Sequence, residues 1–299
     1  MARAAVAVVP AARCNLGLAS FRAAPYEGQR ETDDLMTDLL IDIRNATVAR
    51  PQVILDKIDL RIAPFQHTAI VGPNGSGKST LIRLLMRDLY PAFERGNEAT
   101  NLYKGRATWS MAELRQSIAL VSMKFADALL EIGGMWVRDA VASSYFGTYG
   151  FFKPDDLTAE MTQHVDEILD RLDLLPLAKR TVQTLSTGQM RKVLIARAMV
   201  LRPDLILLDE PTLGLDVRAQ SEFLDYLGHV AHSATIMMVT HHLEEVVPLI
   251  QKVLLIKDGR VFRFGDKADI LTSENLSALF SIDLVVRRSA GETYSMHRA

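Results

Sequence analysis

The sequence lacks the features that mark several classes of protein. Its single cysteine, Cys14, excludes an intramolecular disulfide framework and is typical of a reducing compartment. No window approaches the roughly 20 consecutive apolar residues that a membrane-spanning helix needs, so a role at a membrane requires a partner. The 34 basic and 36 acidic residues give a net charge of −2, and this balance does not favour nucleic-acid binding.

Acidic residues are absent before Glu27, whereas the same stretch contains three arginines. A basic, acid-poor beginning is typical of a transit peptide. A disordered tail, or an upstream start codon chosen in error, explains the same composition, and Met36 stands just before the first strand-like run. We favour the disordered tail or the erroneous start codon over a transit peptide, and we assign residues 1–37 to a disordered or mis-started extension.

From residue 39 onward, strand-like and helix-like segments alternate. Short β-branched or apolar runs predict strands, and stripes of leucine or valine at helical spacing predict helices. Strands are predicted near 40–43, 53–62, 68–71, 118–122, 205–208, 235–239, 253 and 261, and helices at 78–88, 161–174, after 185 and at 217–230. A stretch without strand signals, about 124–184, interrupts this order. The pattern predicts an α/β core with a mostly helical insertion.

The segment VGPNGSGKST, residues 71–80, fits the phosphate-binding loop G-x-x-x-x-G-K-[ST] and lies between a predicted strand and a predicted helix. In such a loop, backbone N–H groups face the phosphates and a flexible lysine reaches them. Ser79 offers its hydroxyl to Mg²⁺. The residues expected to bind nucleotide here are Gly72, Pro73, Asn74, Gly75, Ser76, Gly77, Lys78, Ser79 and Thr80.

Two acids follow the apolar run 205–208. Because this strand is expected to lie beside the phosphate loop, its carboxyl end brings both acids near the phosphates. Asp209 is expected to join the Mg²⁺ shell, and Glu210 to polarise an attacking water.

The segment LSTGQMRKVLIARAMVLRPDLILLDEPTLGLD, residues 185–216, resembles the ATP-binding cassette (ABC) family, with its signature L-S-x-G-Q ahead of the acidic strand. The resemblance covers about residues 38–280. It implies a P-loop NTPase core with a mixed, mainly parallel sheet, a helical subdomain inserted at about 124–184 and an antiparallel N-terminal β element. Residues 281–299 then form a C-terminal tail. The implied activity is ATP hydrolysis with Mg²⁺.

The resemblance also implies that one chain does not complete a catalytic site. In the family, the signature residues serve the nucleotide held by a second cassette in a head-to-tail dimer. Here these residues are Ser186, Gly188 and Gln189, and the second cassette is either identical or different. His241, at a predicted strand end, matches the switch histidine that contacts the γ-phosphate. The implied catalytic residues are Glu210, His241 and Lys78.

The sequence departs from the family at two positions. A glutamine is expected after the strand near 118–122, but position 123 is a methionine, whose thioether is a poor ligand for Mg²⁺. The aromatic residue that usually stacks on adenine is also missing, and Arg50 occupies that region. A guanidinium can stack on a base, so Arg50 is a candidate for adenine binding, and a solvated loop arginine is the alternative.

The resulting hypothesis is the ATPase subunit of an ABC transporter, peripheral at the cytoplasmic face of a membrane and bound to an integral membrane subunit. The segment 270–280 resembles the ending of metal-chelate and metal-oxyanion import cassettes. The alternative is a soluble ABC ATPase that acts on ribosomes or nucleic acid. The neutral charge balance disfavours direct nucleic-acid binding.

Overall fold

The computed structural model describes residues 39–92, 99–150, 152–289 and 291–299. All of them belong to the second of the two units, residues 1–35 and 36–299, into which the chain divides. The extension predicted for residues 1–37 lies outside the described residues.

Eleven strands are found in the described part of the chain. They are β1 (Ile41–Arg50), β2 (Gln52–Ile62), β3 (Thr68–Val71), β4 (Thr100–Tyr103), β5 (Ile118–Val121), β6 (Leu205–Asp209), β7 (Thr235–Thr240), β8 (Lys252–Lys257), β9 (Arg260–Asp266), β10 (Leu284–Arg288) and β11 (Tyr294–Arg298). The α-helices of the same residues are α1 (Lys78–Leu85), α2 (Met111–Ser117), α3 (Met123–Leu130), α4 (Val137–Ala142), α5 (Ala159–Arg171), α6 (Thr187–Met199), α7 (Val217–Ala231), α8 (Lys267–Ile270) and α9 (Ser273–Phe280).

The central sheet has the strand order β5-β6-β7-β3-β8-β9 among the described residues. All neighbouring pairs are parallel except β8 with β9, which pair antiparallel through the turn at Asp258 and Gly259. Strands β3 and β7 are buried along their whole length, as expected for strands covered on both faces. The prediction of a mixed, mainly parallel sheet is therefore confirmed.

A second sheet, with the order β2-β1-β4, is antiparallel. Its inward side chains share one hydrophobic core with α1 and with one face of the central sheet, and examples are Ile43, Leu60, Leu81, Leu84 and Leu254. This sheet is the antiparallel N-terminal β element that the resemblance implies. It supports the phosphate loop from the side opposite the helical insertion, whose side chains belong to the other core.

The segment between β5 and α6 is helical, as predicted. Thr158 begins α5 by accepting a hydrogen bond from Met161 N, so the helix starts two residues before the predicted boundary. From α6, Arg197 reaches into the insertion and donates to Ser143 Oγ (2.6 Å) and to Thr148 O (2.9 Å). The insertion and α6 thus pack as one unit. No helix of the described residues has the length and apolar character needed to cross a membrane.

The C-terminal segment, assigned to a tail from the sequence, contains an antiparallel hairpin of β10 and β11. Leu284 and Tyr294 are buried in the same core as Leu276 and Leu279 of α9. Ser277 Oγ accepts a hydrogen bond from Leu284 N (2.9 Å), which joins the hairpin to this helix.

The turn between β8 and β9 supports the phosphate loop. Gly259 N donates to Ser76 O (3.1 Å), and Gly259 O accepts from Asp56 N of β2 (2.8 Å). Gly259 has a φ of +74°, and a Cβ at this position would lie 2.3 Å from Ile54 O. Only glycine fits here, because the left-handed backbone and the close approach of β2 both exclude a side chain.

Replacing Gly259 with alanine is therefore expected to lower the free energy of unfolding by about 2–5 kcal/mol, through the left-handed strain and the clash together. Gly105→Ala is the matched control, since Gly105 has a φ of +70° but a methyl group there would meet no atom within 4 Å. It should cost only about 1–2 kcal/mol. Urea unfolding of both variants measures the difference, and equal losses would contradict the role given to the close approach.

Candidate functional site

The phosphate loop connects the buried strand β3 to α1. Its last glycine, Gly77, is the N-cap of α1 and has a φ of +107°. This conformation turns the chain sharply, so that the first backbone N–H groups of α1 face the space above the loop. The positive end of the helix dipole lies at the same place, which favours an anion there.

Lys78 is buried at the centre of the loop. Its ammonium donates to Gly72 O (2.8 Å) and to Pro73 O (2.9 Å). Burial lowers its pKa from the usual value, whereas the nearby carboxylates of Glu210 and Asp209 act in the opposite direction. The lysine nitrogen is thus held by loop carbonyls, from which it can turn to an anion.

A cavity of about 450 Å³ opens above the loop. It brings together most of the predicted phosphate-binding residues and both predicted acids, together with residues from β2, β7 and the start of α3. The lining residues are Ile54, Asn74, Gly75, Gly77, Lys78, Ser79, Thr80, Ser122, Met123, Lys124, Asp209, Glu210, Leu213 and Val239. Of the remaining predicted loop residues, Gly72 and Pro73 accept from Lys78, and Ser76 is buried beside Gly259.

The two acids lie at the edge of the cavity, where Asp209 is the last residue of β6 and Glu210 follows it. Burial raises the pKa of Asp209, the neighbouring Glu210 raises it further, and Lys124 and Lys78 lower it. Glu210 has a left-handed φ of +48°, and its N–H donates to Val239 O of the next strand (3.0 Å). The left-handed backbone at Glu210 turns the chain out of the strand directly after Asp209.

His241 follows β7 and lies beside the second acid. Its Nδ1 atom is 3.3 Å from Glu210 Oε1. The next residue, His242, is exposed and donates its N–H to Thr240 Oγ1 (2.9 Å), and the two imidazole rings have centroids 3.9 Å apart. The geometry therefore brings His241 and Glu210 together, and His242 lies exposed directly before a short 3-10 helix, Leu243–Glu245.

The signature residues do not line this cavity. Ser186 is the N-cap of α6 and accepts from Gln189 N (3.2 Å), while Gln189 Oε1 accepts from Ser186 N (3.0 Å). This capping box fixes the start of the helix, with Gly188 in its first turn. Arg50 also lies outside the lining residues, exposed at the tip of the β1–β2 hairpin, where it pairs with Gln52.

Lys124 was not identified as a site residue from the sequence. It lies in the first turn of α3, directly after the methionine that replaces the expected glutamine, and both residues line the cavity. The available signal was its position: β5 pairs with β6 in the register Val121 to Leu208, so residues just after β5 lie near Asp209.

Arg191 was also missed. This arginine of α6 is buried and donates to the main-chain oxygens of Glu210 (3.3 Å) and Leu213. Beside it, Thr212 Oγ1 donates to the buried carboxylate of Glu245. Burial lowers the pKa of Arg191, and the charge of Glu245 opposes that effect. These contacts join α6 to the turn that carries Glu210, and no local sequence pattern indicates them.

Known proteins resemble this chain in sequence. A family model described as "ABC transporter" matches residues 55–213. The chain is 37% identical over 222 residues to the molybdate import ATP-binding protein MolC of Haemophilus influenzae, covering 72% of this chain and 77% of MolC. It is 32% identical over 258 residues to the cobalt import ATP-binding protein CbiO of Rhodobacter capsulatus, covering 82% and 86%.

A solved structure shares the fold. CbiO1 of Clostridium perfringens, part of the transporter complex CbiONQ, superposes with a TM-score of 0.67 at 27% identity. The similarity covers 81% of this chain and 94% of CbiO1.

The contacts of Arg191 predict that Arg191→Leu lowers the free energy of unfolding by about 2–4 kcal/mol, because hydrogen bonds from a charged, buried donor to two main-chain oxygens are lost. Arg218→Ala is the control, since Arg218 is exposed and pairs with Glu222 on the surface of α7. That change should stay within about 0.5 kcal/mol. Urea unfolding measures both free energies. A loss for Arg191→Leu no larger than for Arg218→Ala would contradict the role of Arg191 in joining α6 to the turn that carries Glu210.

Proposed function

The chain belongs to the ABC transporter family and is an ATP-hydrolysing subunit of that family, and from this premise we propose how its residues act and what the hydrolysis drives. The proposal is supported above all by one observation. Lys78, Ser79, Asp209 and Glu210 line a single cavity, and His241 lies 3.3 Å from the Glu210 carboxylate.

In this proposal the phosphate loop binds the triphosphate of ATP through its backbone N–H groups, and Lys78 turns from the loop carbonyls to the β- and γ-phosphates. Glu210 accepts a proton from a water as that water attacks the γ-phosphorus and the bond to ADP breaks. His241 holds the Glu210 carboxylate in place and contacts the γ-phosphate. Arg50 is proposed to stack on the adenine.

Two side chains fit a magnesium ion. Mg²⁺ prefers oxygen ligands, and the Ser79 hydroxyl and the Asp209 carboxylate both line the cavity. Met123 also lines it but offers only a thioether, so it does not fit the metal. When bound, Mg²⁺ would neutralise negative charge on the phosphates. In this proposal Ser79 and Asp209 bind the metal without the third protein ligand, a glutamine at position 123, that the resemblance implies.

We propose that two chains associate head to tail. Ser186, Gly188 and Gln189 lie outside the chain's own cavity, at the N-terminus of a helix that favours anions. In the dimer, this helix start would face the γ-phosphate bound by the other chain. Each catalytic site would then be completed by the signature of a second cassette, identical or different.

The partner that uses the hydrolysis is proposed to be an integral membrane subunit, which would hold the chain at the cytoplasmic face of the membrane. The names of MolC and CbiO concern import of molybdate and cobalt, and they support a metal ion or a metal oxyanion as cargo here. The insertion at about 124–184 within the ATPase domain 38–280 is the proposed docking region, and the half-exposed Trp136 is its anchor.

Glu210→Gln is expected to keep ATP binding and to lower kcat about 100-fold or more, because an amide cannot accept the proton from water. ATP should then hold the variant as a dimer in size-exclusion chromatography, whereas without ATP it should elute as a monomer. Unchanged turnover would remove Glu210 from the role proposed for it.

A second pair of variants tests the head-to-tail arrangement. Adding Ser186→Ala to Glu210→Gln should abolish the ATP-dependent dimer without abolishing ATP binding. Loss of this N-cap costs about 1 kcal/mol of stability, so the control is Thr158→Ala, which removes the N-cap of α5 at a similar cost. Dimers that survive the Ser186 change as well as the Thr158 change would contradict the proposed role of the signature.

The membrane partner is tested by affinity purification of the tagged Glu210→Gln chain from detergent-solubilised native membranes. An integral membrane protein at equal stoichiometry is expected. Trp136→Ala should reduce its recovery at least about tenfold, as at an interface hot spot. Tyr90→Ala removes another exposed aromatic side chain outside the insertion and should change nothing. Recovery of ribosomes instead would favour the soluble ABC ATPase.

A further inference from the structure

The start of α3 presents one charged side chain to the nucleotide cavity. Ser122 is the N-cap of this helix, and its hydroxyl accepts a hydrogen bond from Lys124 N (3.4 Å). This cap sets the beginning of the helix directly after β5. Met123 and Lys124, the first two residues of α3, both line the cavity. The thioether of Met123 and the ammonium of Lys124 thus lie where the insertion begins, at the cavity that contains the proposed magnesium site.

Lys124 and Asp209, the acid proposed to bind the metal, both line the cavity. Parallel pairing of β5 with β6 brings the chain after Val121 beside the chain after Leu208, which places Lys124 and Asp209 at one edge of the cavity. The ammonium can therefore face either the carboxylate or a phosphate bound beside it.

We propose that Lys124 is a nucleotide-binding residue that contributes positive charge to the terminal phosphates of ATP where an additional metal ligand is missing. The proposal rests on the proposed ATP site. A lysine beside Met123 can neutralise phosphate charge without a metal, since an ammonium is a compact charge on a flexible stem. Binding of nucleotide by this chain should then depend on Mg²⁺ less than binding by a chain with a glutamine at 123 and no lysine at 124.

The test measures dissociation constants of the non-hydrolysable analogue AMP-PNP by calorimetry, once with Mg²⁺ and once with EDTA. Lys124→Gln should weaken binding in EDTA about threefold to tenfold, as expected for one charge pair near a protein surface, and should weaken it less with Mg²⁺. Lys124 is exposed on α3, so the variant is expected to fold. Lys179→Gln removes the same charge from an exposed position outside the cavity and should leave both constants unchanged.

Met123→Gln provides the complementary measurement. An amide oxygen at this position can bind the metal, so binding with Mg²⁺ should strengthen about threefold relative to binding in EDTA. The double change of both residues should show the largest ratio between the two constants.

The outcomes separate this inference from the proposed function. If the natural chain fails to bind AMP-PNP even with Mg²⁺, the proposed ATP site is wrong. If the natural chain binds and Lys124→Gln behaves like Lys179→Gln, Lys124 is a solvated helix residue and the inference is overturned. An equal weakening in Mg²⁺ and in EDTA also overturns it, because Lys124 would then not compensate for a missing metal ligand.

Discussion

The parallel pairing of β3 with β7, and of β7 with β6, is the constraint on which the nucleotide site depends. In this register Val71 lies opposite Thr240, and Val239 lies opposite Asp209. The phosphate loop, the histidine and the two acids therefore leave the sheet at the same edge, although they are far apart in sequence. A shift of one residue in either pair would turn every side chain of the strand to the opposite face and separate the lysine from the acids.

Contacts made by α6 extend this arrangement beyond the sheet. Arg191 binds main-chain oxygens on both sides of the turn after Glu210, while Arg197, farther along the same helix, binds the insertion. The N-terminus of α6 carries Ser186, which we propose to serve the other chain's nucleotide. One helix thus connects the proposed signature contact, the turn that carries Glu210 and the proposed docking region. Displacement of this helix would move all three regions, because closely packed side chains transmit movement with little compression.

Much of this site could be predicted because its residues belong to short continuous sequence motifs at the ends of apolar strands. The phosphate loop, Asp209 and Glu210 each follow such a strand directly, and the fold class follows from the same alternation. The contacts of Arg191 and of Gly259 could not be predicted, because the partners of both residues lie on elements distant in the sequence. The C-terminal hairpin was missed for a related reason. Its few buried side chains alternate with charged residues too irregularly to show the period of two that indicates a strand.

The position of β3 has a consequence for the order in which the chain can fold. This strand lies inside the central sheet, yet both of its neighbours, β7 and β8, come much later in the sequence. The hydrogen bond between His67 and Ile236, beside β3, joins residues 169 positions apart. During synthesis β3 leaves the ribosome with two unpaired edges and stays so until β7 and β8 have followed. Late, long-range closure of this kind slows folding and leaves an apolar strand exposed to pairing with other chains during that interval.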